Sequence, residues 1–322
     1  MAVYTEVSDE QLAAFVAEYA IGSVITCKGI AEGVENSNFL LATDRGTFIL
    51  TLYERRVRAA DLPFFIALME HLAAGRVPCP TPVRARDGEA LRTLAGRPAA
   101  IVTFLRGLWP RRPTAQHCAA VGETLASLHL AGMSFPGSRP NDLSVRGWRP
   151  LLDACIGHGD TVAPDLAEEL TDELATLEAT WPDDLPAGVI HADLFPDNVF
   201  FEGERLTGVI DFYFACRDFL AYDIAICLNA WCFEPDGSFN VTKARRMLLA
   251  YRNRRPLTAA EVAALPLLAR GAAMRFLATR LYDWLHTPRN ALVSLKNPAE
   301  YLHRLRFHRR IQGPAGYGLD GA

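Results

Sequence analysis

The sequence predicts an α+β fold in which a small antiparallel sheet precedes a larger, mainly helical region. The first third of the chain alternates short β-branched or aromatic runs with glycine-containing turns, whereas the remainder shows longer stretches of helical periodicity. A chain of 322 residues that is 50% hydrophobic can also fill a core of this size. Because the strands and helices are segregated along the chain, α+β architecture is favoured over an alternating α/β arrangement.

The N-terminal third predicts five strands and two helices. Ser8 is placed to cap an opening helix over residues 8–20, and Gly75 should end a second helix that starts at residue 62. The expected strands cover residues 24–28, 38–42, 47–53, 90–94 and 98–104. These elements predict a five-stranded meander interrupted by one helix.

The change from strands to helices is expected near residues 104–107. Gly107 and the proline-rich segment 109–113 interrupt both patterns, and an apolar-periodic helix is expected over residues 114–131. We therefore predict an N-terminal lobe of residues 1–104 and a C-terminal lobe of residues 105–322.

Composition narrows the function classes. A net charge of −4 argues against a nucleic-acid partner and favours a small-molecule substrate. Residues 1–12 carry three acids and no basic leader, and the chain has no charge-free apolar run of membrane-spanning length. The seven cysteines are scattered without zinc-site spacing, which is typical of free thiols in a reducing cytoplasm. A cytoplasmic protein without a membrane partner is expected, either a monomer or a homodimer.

The most informative segment is residues 189–212. Asp193 and Asn198 follow one apolar run at H-x-D-x-x-x-x-N spacing, and Asp211 ends a second apolar run. Since both runs read as strands that end at the same edge, the three oxygen-bearing side chains should converge. The structural alternative is an Asp/Asn-rich hairpin turn without a catalytic role.

Such a convergence suits phosphoryl transfer from ATP. The reaction needs a carboxylate to orient the attacking hydroxyl and hard oxygen ligands to hold Mg²⁺ against the phosphates. Asp193 is the expected catalytic base, and Asn198 and Asp211 are the expected Mg²⁺ ligands. His191 should support the loop through hydrogen bonds.

This segment resembles the catalytic and metal-binding loops of the aminoglycoside phosphotransferase and choline kinase superfamily, which has a two-lobed protein-kinase-like fold. Residues 104–107 resemble the hinge of that superfamily, which implies that backbone groups near Thr103 and Leu105 meet adenine. Residues 217–225 resemble the helix after the metal loop, and the resemblance implies that Asp223 braces the catalytic loop.

Four further segments are similar to the homoserine kinases of this superfamily, namely residues 33–39, 49–54, 147–151 and 280–283. The resemblance implies phosphorylation of homoserine in threonine synthesis. Residues 241–310 contain fifteen Lys or Arg and three acids, which favours a carboxylate-bearing acceptor over a polycation. Choline, ethanolamine, methylthioribose and aminoglycosides remain rival acceptors. A catalytically inactive nucleotide-binding module is the rival from another class.

The nucleotide phosphates have weaker candidate contacts. Gly29 and Gly33 flank a turn where a phosphate-covering loop is expected, and Ser37 lies just beyond it. The strand that carries a phosphate-binding lysine in kinases has Thr51 instead, so Lys28 of a neighbouring strand is a candidate replacement. An ordinary hairpin turn explains the glycines equally well.

The acceptor also has candidate contacts. Arg280 and Asp283 lie three apart on a predicted helix and could bind the carboxylate and ammonium groups of an amino acid, although an intrahelical ion pair is as good an explanation. Tyr282 and Asn36 complete the candidate set.

Overall fold

A computed structural model describes residues 5–30, 36–54, 57–287 and 295–319. Its N-terminal part contains an antiparallel sheet with strand order β1-β2-β3-β5-β4. The five strands are β1 (Val24–Gly29), β2 (Asn36–Thr43), β3 (Gly46–Tyr53), β4 (Arg92–Leu94) and β5 (Arg97–Thr103). The expected sheet is therefore present, with β2 longer and β4 shorter than its sequence pattern indicates.

One face of this sheet packs against helix α1 (Asp9–Ala17). Ser8 caps the helix through a reciprocal pair of hydrogen bonds with Gln11, as its position before the apolar stripe predicts. The buried side chains Phe15, Leu41 and Leu50 belong to one hydrophobic cluster that is confined to this part of the chain. This cluster forms the core between α1 and one face of the sheet.

Helix α2 (Leu62–Ala74) packs on the helical region as well as on the sheet. His71 Nε2 lies 2.9 Å from the carbonyl oxygen of Ala131, and Phe65 packs edge-on against Tyr213 at 5.6 Å. Side chains of α2 accordingly share a hydrophobic cluster with the C-terminal region. The division into lobes at residue 104 stays a prediction.

The C-terminal region is mainly helical and carries two short antiparallel strand pairs. Its helices are α3 (Ala115–Gly132), α4 (Val145–Asp153), α5 (Leu166–Thr180), α6 (Leu220–Trp231), α7 (Val241–Arg254), α8 (Ala259–His286) and α9 (Pro298–His308). Strand β6 (Ala187–Ile190) pairs with β9 (Cys216–Phe219), and β7 (Val199–Glu202) pairs with β8 (Arg205–Val209). The candidate catalytic residues lie close to the ends of these strands.

Helix α8 is long and apolar enough to cross a membrane by length and composition alone. Within its most apolar window, 67% of the residues are buried inside the protein. Packing in the core therefore explains its composition. The seven cysteines are all free thiols, and six of them are buried.

A buried histidine near the C-terminus predicts acid sensitivity. Asn229 donates to two carbonyl groups through Nδ2, so its Oδ1 accepts from His308 Nε2 at 3.2 Å, and His308 Nδ1 accepts from the Tyr317 hydroxyl at 2.8 Å. Burial, aided by the charge of Arg304, lowers the pKa of His308 to about 3. The imidazole is therefore neutral in the folded protein.

Because the unfolded histidine titrates near pH 6.5, the neutral form of His308 should stabilise the fold fully above that pH. As pH falls from about 6.5 toward 3, the free energy of unfolding should drop by up to about 1.4 kcal/mol per pH unit from this residue. Urea unfolding at pH 7 and pH 5 measures the loss. His308→Gln should reduce the pH dependence, and His286→Gln, at an exposed position, should not. Equal slopes in the wild type and His308→Gln would contradict the assignment.

Candidate active site

The loop that carries Asp193 starts where β6 ends. Its backbone turns through Ala192, which has φ +64°. The buried carboxylate of Asp223, in the first turn of α6, accepts hydrogen bonds from the backbone N–H groups of His191 at 2.7 Å and Ala192 at 2.9 Å. A left-handed alanine is an uncommon conformation, and this carboxylate holds the backbone in it. The brace that the resemblance assigns to Asp223 is thus matched by contacts in the structure.

Asp223 belongs to a longer chain of buried polar groups. Its Oδ2 lies 3.2 Å from His129 Nε2, and His129 Nδ1 lies 2.8 Å from the Tyr251 hydroxyl. Arg255 then donates to both Tyr251 at 3.1 Å and Glu261 at 2.9 Å. Burial acts to raise the pKa of Asp223, but the hydrogen bonds from the His129 ring and from the His191 backbone N–H outweigh it and lower that pKa. Asp223 is therefore an ionised, fully bonded anchor.

Asp193 lies directly after this braced turn. Asn198 Nδ2 donates to the Asp193 carbonyl at 2.9 Å and approaches its Oδ2 at 3.3 Å, and Phe195 N–H donates to the same carbonyl at 2.8 Å. Burial raises the pKa of Asp193, and the positive charges of Arg275 and Lys296 oppose the rise. The carboxylate is held in one orientation on a short, internally bonded loop.

His191 connects the loop that carries Asp193 to the end of β8, just before Asp211. Its Nδ1 accepts from Asp193 N–H at 3.3 Å, so Nε2 carries the proton and donates to the Ile210 carbonyl at 2.9 Å. Burial lowers the pKa of His191, which keeps the ring neutral. These bonds are those of a supporting residue, the role that the sequence predicts for it.

Asn198 and Asp211 are brought together by the same loops. The backbone N–H of Ile210, the neighbour of Asp211, donates to the Asn198 carbonyl at 2.9 Å. Because Asn198 Nδ2 faces Asp193, its amide oxygen remains as an acceptor. An amide oxygen and a carboxylate are the hard donors that Mg²⁺ prefers, and Mg²⁺ needs few protein ligands when phosphates and water supply the rest. The residues present therefore fit a Mg²⁺ site.

The candidate hinge packs on the β7–β8 hairpin. Thr103 is fixed by reciprocal bonds with Thr81, at 3.0 Å and 2.9 Å, and Leu105 packs on Gly208, where any side chain would collide with it. The Thr207 hydroxyl donates to the Arg106 carbonyl at 2.6 Å. Within the described part of the chain, the backbone groups of Leu105 have no hydrogen-bond partner. They are available to an adenine ring.

Thr51 stands at the position where kinases have a phosphate-binding lysine, and it forms a hydrogen bond with another neutral side chain. The Thr51 hydroxyl donates to Asn38 Oδ1 at 2.8 Å. Lys28 pairs in register with Leu40, which pairs with Ile49, so Lys28 and Thr51 lie on the same face of the sheet. Lys28 is exposed, and its contact with phosphate stays a prediction.

The phosphate-loop candidates are only partly brought together. Gly29 ends β1 opposite Phe39, whereas Gly33 lies outside the described residues. Ser37 is buried with its hydroxyl 2.8 Å from Glu54, and it pairs with Leu52 on the α1 side of the sheet. The structure thus places Ser37 away from the face that carries Thr51.

The acceptor candidates have other contacts. Arg280 Nη1 lies 2.5 Å from Glu300 of α9, and its guanidinium stacks 4.4 Å from the Tyr301 ring. Tyr282 is exposed and stacks on His286 at 4.2 Å. Arg280 is therefore paired with a residue of another helix. Asn36 is buried and accepts from Glu54 N–H at 3.3 Å.

Two cations beside Asp193 were missed in the sequence. Arg275 is 2% exposed, donates to the Ala192 carbonyl and lies between the rings of Phe214 and Phe276, at 5.6 and 4.5 Å. Lys296 lies over the ring of Phe195 at 5.3 Å. The sequence holds a signal for Arg275 alone, which is an isolated charge within an apolar stretch of a predicted helix.

Comparison with known proteins identifies the family. Residues 26–257 match the phosphotransferase enzyme family. A homoserine kinase of Rhodospirillum rubrum is 65% identical over 320 residues, which cover 99% of this chain and 100% of that protein. A homoserine kinase of Paramagnetospirillum magneticum is 63% identical over 326 residues, with 99% and 100% coverage. The chain belongs to the homoserine kinases of this phosphotransferase family.

Solved structures confirm the fold class. An amicoumacin kinase superposes with a TM-score of 0.69 at 16% identity, covering 95% of this chain and 93% of its own. A spectinomycin phosphotransferase superposes with a TM-score of 0.67 at 13% identity, covering 98% and 99%. At such identities the likeness concerns the fold. The predicted protein-kinase-like α+β architecture and the assignment as a small-molecule kinase are confirmed.

Proposed function

We propose that the protein transfers the γ-phosphoryl group of ATP to the hydroxyl of L-homoserine, forming O-phospho-L-homoserine for threonine synthesis. The observation that carries this proposal is the convergence of Asp193, Asn198 and Asp211 on two bonded loops, in a chain that belongs to the homoserine kinases. The amicoumacin kinase with the same fold was solved with AMP-PNP and Ca²⁺, which supports a nucleotide and a divalent cation here.

In the proposed reaction, Asp193 orients the acceptor hydroxyl and accepts its proton as the oxygen attacks the γ-phosphorus. The bond from the acceptor oxygen to phosphorus forms while the bond from the β–γ bridging oxygen breaks, and ADP leaves. Asn198 and Asp211 would hold Mg²⁺, which neutralises charge on the phosphates when it is bound. His191 and Asp223 keep the loop in position.

The nucleotide would lie between the sheet and the helical region. Its adenine would meet the backbone near Thr103 and Leu105, and its phosphates would lie near the turn that starts at Gly29. Lys28 is the proposed phosphate contact in place of the absent strand lysine, because it shares a sheet face with Thr51.

The proposal places the enzyme in the cytoplasm, acting on a small molecule without a nucleic-acid or membrane partner. We propose that it acts either as a monomer or as a homodimer.

The direct test is an acceptor assay with purified protein, ATP and Mg²⁺. Release of ADP should depend on homoserine, ³¹P NMR should show a phosphate monoester, and EDTA should abolish turnover until Mg²⁺ is restored. Choline, ethanolamine, methylthioribose and kanamycin serve as competing acceptors. Faster turnover of any of them would reassign the acceptor, and ATP binding without transfer to any acceptor would favour an inactive nucleotide-binding module.

A further inference from the structure

We propose that Lys296 and Asp197 form the specificity contact for the amino-acid end of the acceptor. The Lys296 ammonium group would bind the acceptor carboxylate, and the Asp197 carboxylate would bind the acceptor ammonium group. This inference rests on the proposed function and names the residues that recognise the zwitterion.

The pair lies at the catalytic loop, to which Asp197 belongs. Asp197 stands between Asp193 and Asn198 in the sequence, and Lys296 Nζ lies 3.7 Å from its Oδ2. Lys296 also lies over the ring of Phe195, whose backbone N–H is bonded to Asp193. The lysine arrives from the segment before α9 and places a positive charge over the loop that holds the catalytic carboxylate. Its charge also opposes the rise that burial causes in the pKa of Asp193.

This ion pair is easy to open. The side chains of Lys296 and Asp197 are 60% and 55% exposed, and exposed ion pairs contribute little to stability. A zwitterion that enters between them gives each charge a new partner of opposite sign. The exchange leaves no charge without a partner, so binding does not require the loss of a strong internal contact.

The neighbouring cations already have bonding partners within the protein. Arg275 is buried and bonded to the Ala192 carbonyl, while Arg280 and Arg304 share the carboxylate of Glu300. Among the described cations of α8, α9 and the residues just before α9, Lys296 combines proximity to the catalytic loop with an exposed charge. It is therefore the better candidate for the role that the sequence suggested for Arg280.

Two truncated acceptors separate the two contacts. The compound 3-aminopropan-1-ol is homoserine without its carboxylate, and 4-hydroxybutyrate is homoserine without its ammonium group. Each can be measured as a substrate or as a competitive inhibitor against homoserine. The wild type should prefer homoserine to both.

Lys296→Met should lower kcat/KM for homoserine by about 10- to 100-fold, mainly through KM, because a hydrogen bond to a charged group is lost. The same variant should bind 3-aminopropan-1-ol as the wild type does. Asp197→Asn should show the mirror pattern, weakening homoserine and leaving 4-hydroxybutyrate unchanged. The KM for ATP should stay constant in both variants.

Arg205→Met is the matched control, because Arg205 also forms an exposed ion pair, with Glu202 on the β7–β8 hairpin. It should leave all three acceptors unaffected. If Lys296→Met weakens homoserine and 3-aminopropan-1-ol equally, or leaves homoserine unaffected, the inference is overturned. Failure of the proposed function is distinguishable, since it appears in the wild type as an absence of homoserine turnover.

Discussion

Replacing Asp193 by Asn is expected to lower kcat by about 10²- to 10⁴-fold, the range over which a positioned general base accelerates a reaction. The amide has nearly the same shape but accepts no proton from the acceptor hydroxyl. The loop should keep its conformation, because its bonds to Asn198 and Phe195 use the Asp193 backbone carbonyl. Steady-state kinetics with homoserine measure the loss.

The same variant should bind ATP with unchanged affinity, measured by calorimetry, since no nucleotide contact is assigned to the Asp193 side chain. Asp183→Asn serves as the matched control at an exposed carboxylate. A variant at position 193 that keeps more than about a tenth of wild-type kcat would fall outside the expected range for a catalytic base and remove Asp193 from that role.

Replacing Asp223 by Ala should cost about 3–5 kcal/mol of folding free energy, because the change leaves buried hydrogen-bonding groups without their charged partner. Three donors lose their acceptor, namely the backbone N–H groups of His191 and Ala192 and the His129 ring. The urea midpoint should fall while the slope of the transition stays constant. Turnover of the remaining folded protein should also fall, since the left-handed turn before Asp193 loses its brace.

Asp223→Asn separates charge from shape, because the amide retains one acceptor oxygen and most of the volume. It should be intermediate in stability between the wild type and Asp223→Ala. If Asp223→Ala unfolds within about 0.5 kcal/mol of the wild type, the size typical of an ordinary surface substitution, the anchoring role is wrong.

Local chemistry predicted much of the fold. Helix α2 runs from Leu62 to Ala74 as expected, because glycine and prolines follow it directly. The spacing of Asp193 and Asn198 within one short loop also needed no tertiary information. Sequence spacing predicts such contacts well because a short stretch of backbone keeps the two residues close together in space.

Contacts between elements that are distant along the chain could not be predicted from the sequence. Arg280 meets Glu300 only because α8 and α9 pack together, and nothing near either residue reveals that packing. Ser37 pairs with Leu52, so it points to the α1 side, while its neighbours Asn36 and Asn38 point to the other side. A shift of one residue in register would have reversed these positions, and periodicity alone does not determine register.

The buried chain from Asp223 through His129, Tyr251 and Arg255 ends at Glu261, which caps the start of α8. The same helix later supplies Arg275, which donates to the Ala192 carbonyl in the turn before Asp193. Helix α8 is therefore connected to the turn before Asp193 by two routes, through the buried polar chain at its first turn and through Arg275 further along. Random mutagenesis that selects for impaired turnover should therefore recover substitutions at the start of α8 as well as around Asp193.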